Sequence, residues 1–220
     1  MSGVAVEIHR NLFIQEHPFG LTSDLVQQHA EEVSVGGVPV LVPTLPHQLL
    51  HVCLHFSWSH MLRIGTWRAF RDLEAIISTG RVEWDSFVSF AKSMRGQTCC
   101  YWPLRLAALH ALVDVPQEVL LALRPPISAR LLDRLERHFS CGFLPTPAAC
   151  PSVRLSRKLW EAAIRPGWSG HGSVRPWHFD EQFVRRLRLK TGPPASRSVS
   201  GQSAGRRIVA WHAYLRAMLT

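Results

Sequence analysis

The chain has 220 residues, 46% of them hydrophobic, and carries 25 Lys and Arg against 16 Asp and Glu for a net charge of +9. That apolar content supports a folded globule with a sizeable core, built as one domain or as one domain with an appendage. No uninterrupted apolar run approaches the ~20 residues of a membrane helix, and no basic start leads into an apolar core. A protein without membrane contact, resident in the cytoplasm, is expected.

In chain order, the first element expected is a strand over residues 4–13. Side chains alternate across a strand, so Val4, Val6 and Ile8 share one face while Ala5, Glu7 and His9 share the other. Residues 24–32 suit a short helix, and residues 33–42 read as a hairpin turning at Gly36-Gly37, with Pro39 confining its strand to an edge. Pro46 at a first helical position opens a helix expected over 47–63. Thr66 is expected to cap the next helix, in which Trp67, Phe70, Leu73, Ile76 and Ile77 recur at helical spacing until Gly80 stops it.

Further helices are expected over 84–94, 100–113, 117–123 and 128–139, with Gly or Pro at their short connections, as in an antiparallel bundle. Residues 140–178 are rich in Pro, Gly and Trp and read as irregular apart from a helix over 153–164. The Gly, Pro, Ser and Arg content of 191–207 reads as a flexible linker. Residues 208–219 form a last helix that docks back or meets a partner. The expected class is α+β, a short strand and hairpin front followed by a mostly helical bundle and a basic, partly irregular tail, divided at 1–45, 46–140, 141–190, 191–207 and 208–220.

The five cysteines include no C-x-x-C pair, which fits reduced thiols; the alternative is a Cys141–Cys150 disulfide in the Pro-rich stretch. The basic charge is local. Residues 153–220 hold 13 Lys and Arg against 3 Asp and Glu, a net +10, whereas residues 1–152 come to −1. Arg154, Arg157, Lys158 and later basic residues alternate with Trp160, Trp168 and Trp177, a mixture that nucleic-acid surfaces use for phosphate neutralisation and base stacking. The preferred reading is a solvated basic tail whose tryptophans pack back on the body, since no nucleic-acid module accompanies the charge.

His47, His51 and His55 recur every four residues along one stripe, with His60 beyond them. A shared zinc ion would have to bridge His47 and His55, about 12 Å apart along the helix axis, and no H-E-x-x-H accompanies them.

Three strings, taken in order, carry a family resemblance: Val6-Glu7-Ile8-His9, then Leu49-Leu50-His51 with His55 four residues on, then Trp67-Arg68-Ala69-Phe70-Arg71-Asp72-Leu73. Together they resemble the uncharacterised nucleotidyltransferase family of the DNA polymerase β superfamily, in which an E-[IL]-H strand precedes an L-L-H-x-x-x-H helix and a W-x-x-x-x-D-L helix. The resemblance implies Mg²⁺-dependent nucleotidyl transfer from an NTP to an unknown acceptor. In that chemistry three carboxylates hold the metal, two from a D-x-[DE] pair and one from a later strand, the slot that Glu7 matches. It also implies nucleotide contacts from His9, His51, His55, Asp72, Arg68 and Arg71, with Asp72 able to fix an imidazole tautomer.

A Gly-Ser phosphate signature and the D-x-[DE] pair are expected before Glu7, and neither stands there. Gly172-Ser173 with Asp180-Glu181 comes after Glu7, and its adjacent acids would point to opposite faces of a strand. Residues 1–45 are therefore expected to be the remnant of a nucleotidyltransferase β region, from a truncated or miscalled start or a degenerate gene, and the chain to be catalytically incomplete without partner carboxylates. The alternatives are a noncatalytic remnant that binds a nucleotide or a protein, the missing half included, and nucleic-acid binding through the basic tail.

Overall fold

The computed structural model describes residues 12, 19–63, 65–144, 146, 148–164 and 204–219. The strand expected over 4–13, with Glu7 and His9, lies outside the described residues, as do most of the basic stretch and the start of the 191–207 segment.

Helix α1 spans Ser23–Gln28, and Thr22 caps it by accepting from the Leu25 amide at 3.1 Å. It is shorter than expected, because Glu31 and Glu32 enter strand β1, Glu31–Val35, where Glu31 pairs with Val42. Strand β2, Val38–Val42, returns antiparallel, with Val35 opposite Val38. Gly36 and Gly37, at φ +60° and +84°, supply the two left-handed residues of a tight hairpin turn whose twist matches the strands. Both strands of a two-stranded ribbon are edges, which is where Pro39 is tolerated.

Helix α2, Leu45–Leu54, starts two residues before the expected 47, with Pro46 in its first turn, and buries Leu49, Leu50, Cys53 and Leu54. The helix expected to run on to residue 63 instead widens into a π turn over His55–Ser59, where the His60 amide donates to the His55 carbonyl at 3.2 Å. The π turn buries three consecutive side chains, Phe56, Ser57 and Trp58, which a regular helix with one buried stripe does not do. Met61 and Leu62, both at positive φ, then reverse the chain.

Helix α3 spans Thr66–Ile77, and its cap is Gly65 rather than the expected Thr66. Gly65 takes a left-handed conformation, which costs glycine little, and the Thr66 hydroxyl donates backwards to the Arg63 carbonyl at 3.1 Å. Helix α4, Trp84–Ser93, follows expectation closely.

Helix α5, Gln97–Ala111, contains Pro103. A proline has no N–H to offer the carbonyl four residues back, here Cys99. The buried Ser57 hydroxyl donates to that carbonyl, so the π turn supplies the bond that the proline removes.

Helices α6, Gln117–Leu123, and α7, Ala129–Phe143, follow, with Ser128 capping α7. Helix α7 runs four residues past its expected end at 139. Arg105 of α5 clamps Glu136 of α7, Nε to Oε2 at 2.6 Å. Helix α8, Val153–Ile164, lies where expected and is locked to the body by two indoles. Trp160 Nε1 donates to the Ser57 carbonyl at 2.7 Å and Trp102 Nε1 donates to the Ala163 carbonyl at 3.0 Å. Trp160 is thus packed back on the body as expected; Trp168 and Trp177 lie outside the described residues. A single buried cluster runs from Phe19 through Trp160 to Ile164.

Helix α9, Ala204–Leu219, starts four residues before its expected position and docks on α7, where Tyr214 Oη lies 3.1 Å from His138 Nδ1. The five cysteines are free thiols. The α+β class holds, with one hairpin before a mostly helical body.

Ser57→Ala removes a buried hydrogen bond to the Cys99 carbonyl and is expected to destabilise the fold by about 0.5–1.5 kcal/mol in urea denaturation. Pro103→Ala restores the helical donor, so in that background Ser57→Ala is expected to cost less, a coupling that a double-mutant cycle measures.

Burial, with a smaller contribution from Arg63, pushes the His138 pKa from 6.5 down to about 4. Between those values the unfolded chain binds a proton that the folded chain refuses, so stability is expected to fall as pH drops through that window. The loss should reach about 3 kcal/mol by pH 4 and be absent in His138→Gln, as read by denaturation at each pH.

Candidate functional site

The carboxylate of the Trp67–Leu73 string is Asp72 of α3, and the fold sets it across a groove from the histidine stripe of α2. Residues 47, 48, 51 and 52 share one face of α2, and residues 72, 75 and 76 share one face of α3, as i, i+3 and i+4 spacing dictates. Between them lies a cleft of about 350 Å³, lined by His47, Gln48, His51, Val52, Asp72, Ala75 and Ile76 together with Leu12, Val26 and Pro43. Its walls are mainly apolar. Asp72 and Ala75 are exposed, while His51 is half-buried.

His47 forms the deepest polar contact. At 2% exposure its ring is covered by Phe90 and His29, with centroids 4.6 and 5.3 Å away. Nδ1 lies 2.6 Å from Thr44 Oγ1, and Nε2 is buried with no hydrogen-bond partner among the described residues. Burial, then the neighbouring His29, lowers its pKa, so the ring is neutral near pH 7. Gln48 Nε2 donates to the Pro43 carbonyl at 2.6 Å, fixing the amide beside it.

Further along α2 the His51 and His55 rings stack, centroids 5.6 Å apart and planes 19° apart. The π turn then brings His60 back over His55, Nε2 to Nε2 at 3.0 Å, one ring donating and the other accepting. In a regular helix residues five apart diverge, so this pair depends on the wider turn. Burial lowers the His60 pKa first, followed by the charges of His55 and Arg68. Arg68 therefore sits close enough to act on this pair, one helical turn before Asp72. Arg68 and Arg71 are exposed, and neither lines the cleft.

The structure thus brings His51 and Asp72 together on the cleft lining and leaves His55, Arg68 and Arg71 off it, with Arg68 in electrostatic reach of His60. Glu7 and His9 lie outside the described residues. Among the described residues Asp72 makes no hydrogen bond to an imidazole, and no group of three or more His, Cys, Asp or Glu side chains is arranged to hold a metal. The cleft offers one carboxylate among imidazoles, which does not fit Mg²⁺, an ion that takes oxygen ligands. Three contributors stood out less in the sequence: His60, Gln48 and the covering ring of His29. His60 falls in register only through the π turn, and its sole sequence signal is the nearby run of histidines.

A helical body that sets a histidine-lined stripe against an Asp-bearing helix behind a β-hairpin is the architecture that these strings encode. The family model described as uncharacterised nucleotidyltransferase matches residues 1–111, and the chain belongs to that family. The match ends at the last residue of α5. No curated protein and no solved structure matches the chain.

The neutral state of the two buried rings gives a test. His47 and His60 are expected to titrate below pH 6.5 in histidine proton NMR, because burial disfavours their charged forms. Arg68→Ala is expected to raise the His60 midpoint while leaving His47 in place.

Proposed function

We propose that this protein binds a nucleoside triphosphate along the α2–α3 groove and, as this polypeptide alone, does not transfer the nucleotide. The observation that carries this is the donor set of the groove. Imidazoles and Arg68 suit phosphate oxygens through charge-assisted and N–H hydrogen bonds, whereas two-metal transfer needs several converging carboxylates. Glu7 is the candidate third metal carboxylate, and a chain or segment supplying a Gly-Ser loop and a D-x-[DE] pair would complete a Mg²⁺ site with it. His9, beside it on the family strand, is the candidate nucleotide contact from that side. Within the groove His51 and His55 are the candidate phosphate contacts, with Arg68 as the countercharge and Arg71 as a peripheral anion contact. The acceptor is a separate molecule that the family strings do not specify.

Purified protein incubated with labelled NTP and Mg²⁺ is expected to give no labelled product with any of the four NTPs. Transfer that is present in the purified chain and lost in Glu7→Gln would overturn the reading. Binding is expected to survive Glu7→Gln and to weaken about tenfold in Arg68→Ala, the loss of one charge-assisted contact.

A further inference from the structure

We infer that α9 presents an apolar seam to a second copy of this chain, and that two chains pair through it antiparallel about a two-fold axis.

Helix α9 already buries one side, with Tyr214 against His138 of α7. A helix packed on one side ordinarily shows charged and polar residues to water on the other. The outward side of α9 instead carries Ile208, Val209, Leu215 and Leu219, each between 50% and 75% exposed, and the helix contains no acidic residue. An apolar outward side on a helix that is already docked marks a contact with another molecule.

Ile208, His212, Leu215 and Leu219 stand on one stripe, within about 60° of arc at 3.6 residues per turn, and run about 16 Å along the axis. Tyr214 stands about 130° round the helix from the centre of that stripe. The spacing of four, three and four residues is that of a two-helix seam. It also reads the same in both directions. Under an antiparallel two-fold axis Ile208 therefore meets Leu219 of the other copy and His212 meets Leu215, and each pair is made twice.

Charge selects the antiparallel arrangement. Residues 153–220 hold a net +10, and Arg206 is exposed in the first turn of α9, where the helix's own dipole disfavours a cation. Antiparallel pairing sets Arg206 beside the last turn of the other helix, whose carbonyl end favours one. The two copies of Arg206 are then about 22 Å apart along the axis, well over the ~8 Å screening length at physiological salt. Parallel pairing would put them side by side. A seam of four positions is smaller than the roughly 1,200 Å² of standard interfaces, so the dimer is expected to dissociate on dilution.

The test is analytical sedimentation of the full chain from about 1 to 100 µM, a range that brackets a micromolar dissociation constant. The mean mass is expected to rise with concentration from one chain toward two. Leu215→Glu, at an exposed position, is expected to weaken association at least tenfold with the circular dichroism unchanged, because it sets a carboxylate in the seam. His212→Leu replaces the one polar seam residue and is expected to strengthen association at least tenfold. For the register, Ile208→Cys mixed with Leu219→Cys is expected to form a disulfide-linked dimer in oxidised glutathione, more than either variant does alone. A chain that stays monomeric across the range, association that Leu215→Glu leaves unchanged, or cross-linking of Ile208→Cys with itself in preference to the mixture would overturn the inference. A monomer that sediments with anionic lipid vesicles would overturn it too and assign the seam to a lipid surface.

Discussion

The carbonyl of Cys99 is the point on which the site's architecture depends. Pro103 deprives it of its helical donor, and burial denies it water. Ser57 donates to it from the π turn that follows Leu54. The same turn offers the Ser57 carbonyl to Trp160, so one residue joins α2, α5 and α8. The wider turn also swings His60 over His55 and ends the helix in two left-handed residues that aim the chain toward α3. A proline in one helix thus has its consequence in the geometry of a histidine pair on another.

This constraint explains why the histidine stripe does not behave as a metal ladder. Its members divide into three environments: His47 is sealed beneath aromatic rings, His51 and His55 stack along the groove, and His60 is borrowed from beyond the π turn. Burial holds His47 and His60 neutral, so neither contributes a fixed positive charge near pH 7. The fixed charges near the groove are then Asp72 and Arg68, one helical turn apart and of opposite sign.

Much of the fold could be read in the sequence because the signals were local. The Gly36-Gly37 turn, Pro46 at a helix start, the capping Ser128 and the helical spacing of Phe70 and Leu73 each act within a few residues, and each element lies where they place it. The largest misreading arose where distant partners decided the outcome. The helix expected through residue 63 breaks into a π turn because Cys99 and Trp160, 42 and 103 residues from Ser57, compete for its backbone and hydroxyl. Thr66 yields the cap to Gly65 because its hydroxyl turns back to Arg63. At the site, the motif strings named His51 and Asp72 as candidates without placing them on one cleft, and they held no sign of the burial of His47 or of the register of His60.

The helices beyond residue 111 bear on the site as well, although the family match stops at the end of α5. Within the matched segment the Ser57 carbonyl and the Trp102 indole are both buried, and each finds its hydrogen-bond partner on α8, through Trp160 and Ala163. Buried polar groups cost free energy when unpaired, so the matched segment with its π turn is stable in this form only with α8 against it. Arg105 repeats the pattern by closing on Glu136 of α7. The C-terminal helices therefore hold the groove's far end in shape from behind, and the spacing of His55, His60 and Arg68 depends on residues that never approach the cleft.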